Sequence, residues 1–174
     1  MKKKFSLLLT LAALLLPAMV VFAQKKNQLE GAWKIVEVTI PAGSPTNVAM
    51  KDTTISNPQP GLIIFTKGYY SVMAVRTSTP RTPAERPKDV NNLTDAEKIA
   101  RFTEWSPLLA NSGTYEIKGS TLVRHPIVAK SAEVMNSQDP LTNEFKIDGN
   151  NTLFLNPTPD HATTEPRAKL KRVE

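Results

Sequence analysis

The run Thr121-Leu122-Val123-Arg124-His125-Pro126-Ile127-Val128 holds a guanidinium and an imidazole side by side, so chemistry is sought there first. The segment Gly113-Thr114-Tyr115-Glu116-Ile117 precedes it across Lys118-Gly119-Ser120, which reads as a hairpin turn. Either two-residue register puts Tyr115, Ile117, Leu122 and Arg124 on one face and Glu116, Val123, His125 and Ile127 on the other. A guanidinium on an inward face needs a partner. A ligand carboxylate could supply one through paired hydrogen bonds, and Glu37, on the face of Trp33 and Ile35, could neutralise it instead. With the faces reversed, Arg124 is simply a surface cation. His125 has one plausible acidic neighbour, Glu116, so general acid–base work is its special reading and a structural strand histidine its ordinary one. His161 lies in a proline-rich loop, far along the chain from every carboxylate cluster. Two histidines without a spaced motif, and no cysteine, make no metal site. There is no Gly-rich phosphate loop, nucleophile elbow or paired-carboxylate motif, and Ser71 and Ser112 lack a base. The expectation is therefore no catalytic residue, no cofactor and no metal.

The elements that would hold these residues are mostly strands. Leu29-Glu30-Gly31-Ala32-Trp33-Lys34-Ile35-Val36-Glu37-Val38-Thr39-Ile40 is a leading strand, and residues 41–60, with four prolines, read as a loop. Gly61–Thr66 and Tyr69–Arg76 flank Lys67-Gly68, a hairpin signal. Pairing Thr66 with Tyr69 puts Ile63, Phe65, Tyr70, Val72 and Ala74 on one face and Leu62, Ile64, Tyr69, Met73 and Val75 on the other. Both faces are apolar, so the outer one is expected under a helix or a second subunit. After a proline-punctuated stretch from Thr77 to Asn92, Thr94-Asp95-Ala96-Glu97 is a capping box. Leu93, Ala96, Ile99, Phe102 and Trp105 then form a stripe expected to lie on the barrel or across its mouth, with Pro107 ending the helix. Residues 129–142 show no clear period. A third hairpin joins Asn143–Ile147 to Thr152–Leu155 through Asp148-Gly149-Asn150-Asn151, with Phe145, Ile147 and Phe154 expected inside. Arg167–Val173 alternates like a closing strand. A leading strand, three hairpins and a closing strand make eight, enough for an antiparallel up-and-down barrel whose bore is filled or holds one small ligand.

The first residues read differently. Lys2-Lys3-Lys4, apolar Leu7–Leu16 and Val21-Phe22-Ala23 form the pattern of a secretory signal peptide, with cleavage expected after Ala23; an uncleaved anchor is the alternative. The domain organisation is then 1–23 signal peptide and 24–174 one barrel domain, with no stable membrane span once the signal is removed. Taking 23 residues from 174 leaves 151, the size of one domain. With three of the 22 basic residues in the leader, 19 face 16 acidic ones. That balance is too mild to imply nucleic acid. Localisation is expected to be periplasmic or secreted, and without cysteine the core must hold the fold unaided.

Gly31-Ala32-Trp33-Lys34-Ile35-Val36, then Pro60-Gly61-Leu62-Ile63-Ile64-Phe65-Thr66-Lys67-Gly68-Tyr69-Tyr70-Ser71, then Ser112-Gly113-Thr114-Tyr115 with Gly119 and His125, resemble the bacterial and fungal lipocalin-like domain family. The likeness runs across nearly the whole chain after the leader. It implies a lipocalin-type barrel and, by analogy, capture of a small hydrophobic molecule. It also implies that Trp33 packs at a closed end under an arginine of the last strand, for which Arg172 is the candidate; Arg172 pointing to solvent is the alternative. Gly31, Trp33 and Arg172 would then close the barrel. The turn Lys67-Gly68 departs from the family's acidic-Gly pair, and Ser131–Leu141 lacks the family's aromatic and glycine pattern.

The expected function is non-enzymatic binding or transport of a small hydrophobic or amphipathic molecule, such as a lipid, in the bore. The expected contacts are Phe65, Tyr70, Tyr115, Arg124, Phe145 and Phe154, with burial supplying about 25 cal/mol per Å². Two other readings stand beside it. One is a barrel isomerase or cyclase using His125, Tyr115 or Glu37. The other is an envelope interaction module, with a possible homodimer, using the outer apolar face of the first hairpin.

Overall fold

A computed structural model describes residues 27–173; the signal segment 1–23 lies outside them. Nine strands are arranged in one antiparallel sheet: β1 (Gly31–Ile40), β2 (Thr53–Ser56), β3 (Gly61–Phe65), β4 (Tyr69–Val75), β5 (Leu108–Lys118), β6 (Thr121–Ala129), β7 (Leu141–Asp148), β8 (Thr152–Asn156) and β9 (Arg167–Arg172). Neighbours from β3 to β9 pair in chain order, and β1 pairs with both β3 and β9, so eight strands close on themselves. Two helices interrupt them, α1 (Asp95–Trp105) between β4 and β5 and α2 (Ala132–Asn136) between β6 and β7. A single 3₁₀ turn, Pro159–His161, lies between β8 and β9.

The ninth strand falls inside the proline-rich segment read as a loop. β2 pairs with Glu37–Ile40 and β3 with Gly31–Lys34, so the two are halves of one stave broken by Asn57-Pro58-Gln59-Pro60. Proline donates no ladder hydrogen bond, so the stave cannot run through these positions. Asn57 turns the chain with a positive φ of 52°, and its amide still reaches Val36 O at 2.9 Å.

The first hairpin adopts the expected register, Phe65 opposite Tyr70. Ile63, Phe65, Tyr70, Val72 and Ala74 are buried, while Leu62, Ile64, Tyr69 and Met73 are exposed. The cover expected for that outer face is not α1. The helix starts at the expected capping box, with Glu97 N donating to Thr94 Oγ1 at 3.3 Å and Thr94 N to Glu97 Oε2 at 2.8 Å. Its half-buried residues are Glu97, Arg101 and Glu104, and Ile99, Phe102 and Trp105 face outward. The reason lies in its partners. Glu104 takes a hydrogen bond from the Ala84 amide and its carbonyl one from Arg81, so the polar side grips the preceding proline-rich segment. Lys130 Nζ meets the carbonyls of Trp105 and Ser106, where a cation offsets the negative end of the helix.

The interior is packed around Trp33 and along β4, where Val72 and Ala74 are buried, while other inward positions are only half-buried, Ile147 at the closed end among them. Leu29, Trp33, Phe65, Leu122, Leu153 and Leu170 are buried almost completely. Ile35, Val38, Leu109, Leu141, Phe145 and Ala168 face the same interior but are only half-buried. All four longer connections, residues 41–52, 76–107, 130–140 and 157–166, emerge at the end opposite Trp33.

Candidate functional site

The closed end is built on Gly31-Ala32-Trp33. Gly31 has φ 130°, a backbone state that side chains of L residues rarely allow, and this lets the chain enter β1 from below. Trp33 is fully buried, its Nε1 donating to Leu29 O at 2.7 Å. Arg172 lies over the indole with Cζ 4.0 Å from the ring centroid. Its nitrogens donate to Glu30 O at 2.5 Å, Gln28 O at 2.7 Å and Asn150 O at 2.8 Å. The solvent-pointing alternative for Arg172 is therefore set aside.

Two of the expected ligand contacts belong to this floor. Phe65 and Tyr115 meet edge to face, centroids 5.1 Å apart. The Tyr115 hydroxyl donates to Thr66 O at 3.0 Å and accepts from Asn27 Nδ2 at 2.6 Å, so it is fully engaged in closure. Burial pushes the Tyr115 phenol pKa up, with Glu30 acting in the same direction.

Phe154 is not inside. Ile147 pairs with Leu153 and Phe145 with Leu155, which makes Leu153 and Leu155 the inward residues of β8. Asp148 pairs with Thr152, so three residues form the turn, and the odd count inverts the faces expected from the four-residue connection Asp148-Gly149-Asn150-Asn151. Phe154 lies on the outer face opposite Lys146 and Lys169, with Lys169 Nζ 5.9 Å from its ring centroid.

Glu37 is displaced for a related reason. A bulge between Ile35 and Glu37 on β1 gives that strand an extra residue against β9. Val38 then shares the inner face with Ala168, and Glu37 pairs with Lys169 on the outside. It does not neutralise Arg124.

Tyr70, Arg124 and Phe145 do share the bore. Arg124 pairs with inward Tyr115, and its Cζ sits 5.4 Å from the Tyr70 ring centroid. Arg124 Nη2 donates to Asn143 Oδ1 at 2.6 Å, and Asn143 Nδ2 donates on to Asn156 O at 3.1 Å. The Tyr70 hydroxyl donates to buried Asn111 Oδ1 at 2.8 Å. Arg124 Nε is sealed from solvent and has no partner. Desolvation pulls the Arg124 pKa down, with Tyr70 and Glu165 pulling the other way. Burial likewise raises that of Tyr70, against the field of Arg124. Asn111 and Asn143 were missed in the sequence. Their signal was parity: each lies two residues from an inward residue of its strand, Gly113 and Phe145 respectively.

His125 lies on the outer face opposite Thr114, half-exposed, its Nε2 3.4 Å from Glu116 Oε1. Glu116 is held below the usual carboxylate range by Lys118 first and His125 second. His125, Tyr115 and Glu37 thus do not converge: one is outside on β6, one is locked in the floor and one is outside on β1. Among the described residues no group of three or more His, Asp or Glu could hold a metal ion. No helix among them is long and apolar enough to cross a membrane. Two clefts, of about 680 and 650 Å³, lie at the closed end, where inward Phe65 and Ile147 contribute to the lining, and along the outer side of β3 and β4.

No family model and no curated protein matches the chain. Among solved structures it is similar to a lipocalin-like protein from Bacteroides uniformis, 13% identical, covering 84% of this chain and 99% of that one with a TM-score of 0.42. It is also similar to an uncharacterized protein from Bacteroides eggerthii, 12% identical, covering 83% and 98% with a TM-score of 0.43. A redesigned β-barrel is 14% identical over 84% and 93%, with a TM-score of 0.40. The architecture is read from the strand order itself and not from these likenesses. With eight antiparallel staves closed between β1 and β9, one extra strand and a helix between staves, the chain has a lipocalin-like barrel fold.

Proposed function

We propose that this barrel binds a small amphipathic molecule in its bore, entering at the end opposite Trp33, and carries it without transforming it. The observation behind this reading is a set of inward-facing apolar residues that are only half-buried. They are Ile35, Val38, Leu109, Leu141 and Phe145. Burial of such an apolar wall by a ligand contributes about 25 cal/mol for each Å² removed from water. The leader at 1–23 supports export, with action in the periplasm or outside the cell.

The test is saturable, one-to-one binding of a neutral apolar dye such as N-phenyl-1-naphthylamine, followed by native mass spectrometry and lipid extraction of protein purified from its host. A bore packed solid with side chains, with no saturable dye binding, would sink the proposal. N-terminal sequencing of the exported protein should begin at Gln24.

A second reading draws on exposed Leu62, Ile64, Tyr69 and Met73 on the outside of the first hairpin, a face suited to another protein or a second copy. Sedimentation that gives only monomer up to high concentration would remove the homodimer form of it.

A further inference from the structure

We infer that the bore's occupant carries a carboxylate head, seated at depth on Arg124, with its apolar tail running up toward the mouth; this deepens the bore-binding reading and rests on it. The argument begins with an imbalance. Arg124 offers five N–H donors and always carries its charge under ordinary conditions. In the barrel, one hydrogen bond to a side chain, Nη2 to Asn143 Oδ1, meets them, and Nε is buried without a partner. Among the described residues no carboxylate forms an ion pair with it. A guanidinium taken out of water is normally accompanied by an anion.

The chain does not supply that anion from inside. Glu37, which could have done so, is turned outside by the β1 bulge and faces Lys169. Glu165, whose charge Arg124 feels, belongs to the connection at the mouth and lies 4.0 Å from His161 Nδ1. What does surround Arg124 suits a polar head. Tyr70 lies beneath the guanidinium, and its hydroxyl is bound to Asn111, so both are fixed before any ligand arrives. Asn143 is braced in turn by the Asn156 carbonyl. Preorganised donors cost little to align on binding. Leu141 lies beside Arg124 in the register, and toward the mouth the lining is Ile35, Val38 and Leu109, which would accept a hydrocarbon tail and nothing charged. A carboxylate with two oxygens matches the guanidinium fork, which sets it apart from neutral amphiphiles of the same length.

Fluorescence titration with cis-parinaric acid and with its methyl ester tests the inference on the purified chain. The acid is expected to bind at least about tenfold tighter than the ester, the difference made by a charge-assisted pair in a desolvated site. Arg124→Met should weaken the acid by about thirtyfold or more and leave the ester within about twofold. Arg124→Lys should recover part of the acid's affinity, and Phe154→Ala, on the outer face, should change neither probe. Circular dichroism and melting of each variant establish that it is folded. Equal affinity of acid and ester in the unaltered protein, or equal losses of both in Arg124→Met, overturns the carboxylate seat and leaves bore binding standing. Saturable binding of neither probe overturns the bore reading itself.

Discussion

Removing the Arg172 side chain should open the barrel floor at a cost that its contacts allow to be estimated. The guanidinium lies 4.0 Å from the Trp33 ring centroid and donates to three backbone carbonyls, those of Gln28, Glu30 and Asn150. The cation–π contact contributes about 0.5–2 kcal/mol. Each hydrogen bond from a charged donor contributes about 1.5–3 kcal/mol, reduced here because water can replace the guanidinium at carbonyls so near the surface. Arg172→Ala should therefore destabilise the barrel by about 3–5 kcal/mol. At about 2–4 °C per kcal/mol for a domain of this size, the Tm falls by roughly 6–20 °C. The assay is calorimetry together with Trp33 emission in a Trp105→Phe background, since the protein has two tryptophans and Trp105 is exposed. Wetting of the floor should shift Trp33 emission to the red. Arg172→Lys keeps the charge but not the planar fork that serves several carbonyls at once, and should recover less than half of the loss. A Tm drop below about 2 °C with unshifted emission would refute the reasoning, since the floor would then be held by apolar packing alone.

Three further expectations follow from named contacts. Asn143→Leu should destabilise by about 2–4 kcal/mol, because it strands the buried guanidinium, whereas Arg124→Met should stay within about 1.5 kcal/mol of the unaltered protein because it removes the desolvated charge as well. Urea titration of both would contradict this if the order were reversed. Phe102→Gln should change stability by no more than about 0.5 kcal/mol, since that ring is 74% exposed, and a loss beyond about 1.5 kcal/mol in thermal melts would mean that the helix stripe is packed. Asp52 is held below its ordinary pKa by the Ala42 amide first and by Arg167 second. Its contribution is thus present above the ordinary carboxylate range and lost as pH falls through the lowered value. Asp52→Asn should lower the Tm slightly near neutrality, where the pairing is intact, and leave it nearly unchanged at acid pH, so that the decline on acidification is flatter; an unchanged acid limb in Tm against pH would count against the pairing.

Much of the barrel was legible because period-two patterns and turn residues are local. The hairpin at Lys67-Gly68 has one comfortable register, and its buried and exposed sets appear as the alternation requires. The capping box at Thr94 is equally local, and it starts α1 where it should. What escaped were features settled by the count of residues between distant partners. The bulge at Ile35 and Glu37 exists only relative to β9, and the three-residue turn before Thr152 inverts a face that either reading of Asp148-Gly149-Asn150-Asn151 permits. The outward stripe of α1 was hidden for another reason. Amphipathicity tells which side is apolar, but Glu104 and Arg81 decided which side is held.

The sequence by itself thus determined an antiparallel, cysteine-free domain whose staves and turns could be placed from local chemistry, while the closing role of Trp33 came from the family resemblance. Only the tertiary structure decided which way each stave faces after a bulge or an odd turn. It set Phe154 and Glu37 outside, assigned Phe65 and Tyr115 to the floor, and left Arg124 in the bore with Tyr70, Asn111 and Asn143. Side-chain direction in a strand reverses with every residue, so one insertion anywhere along a pairing carries a candidate site residue from the interior to the solvent.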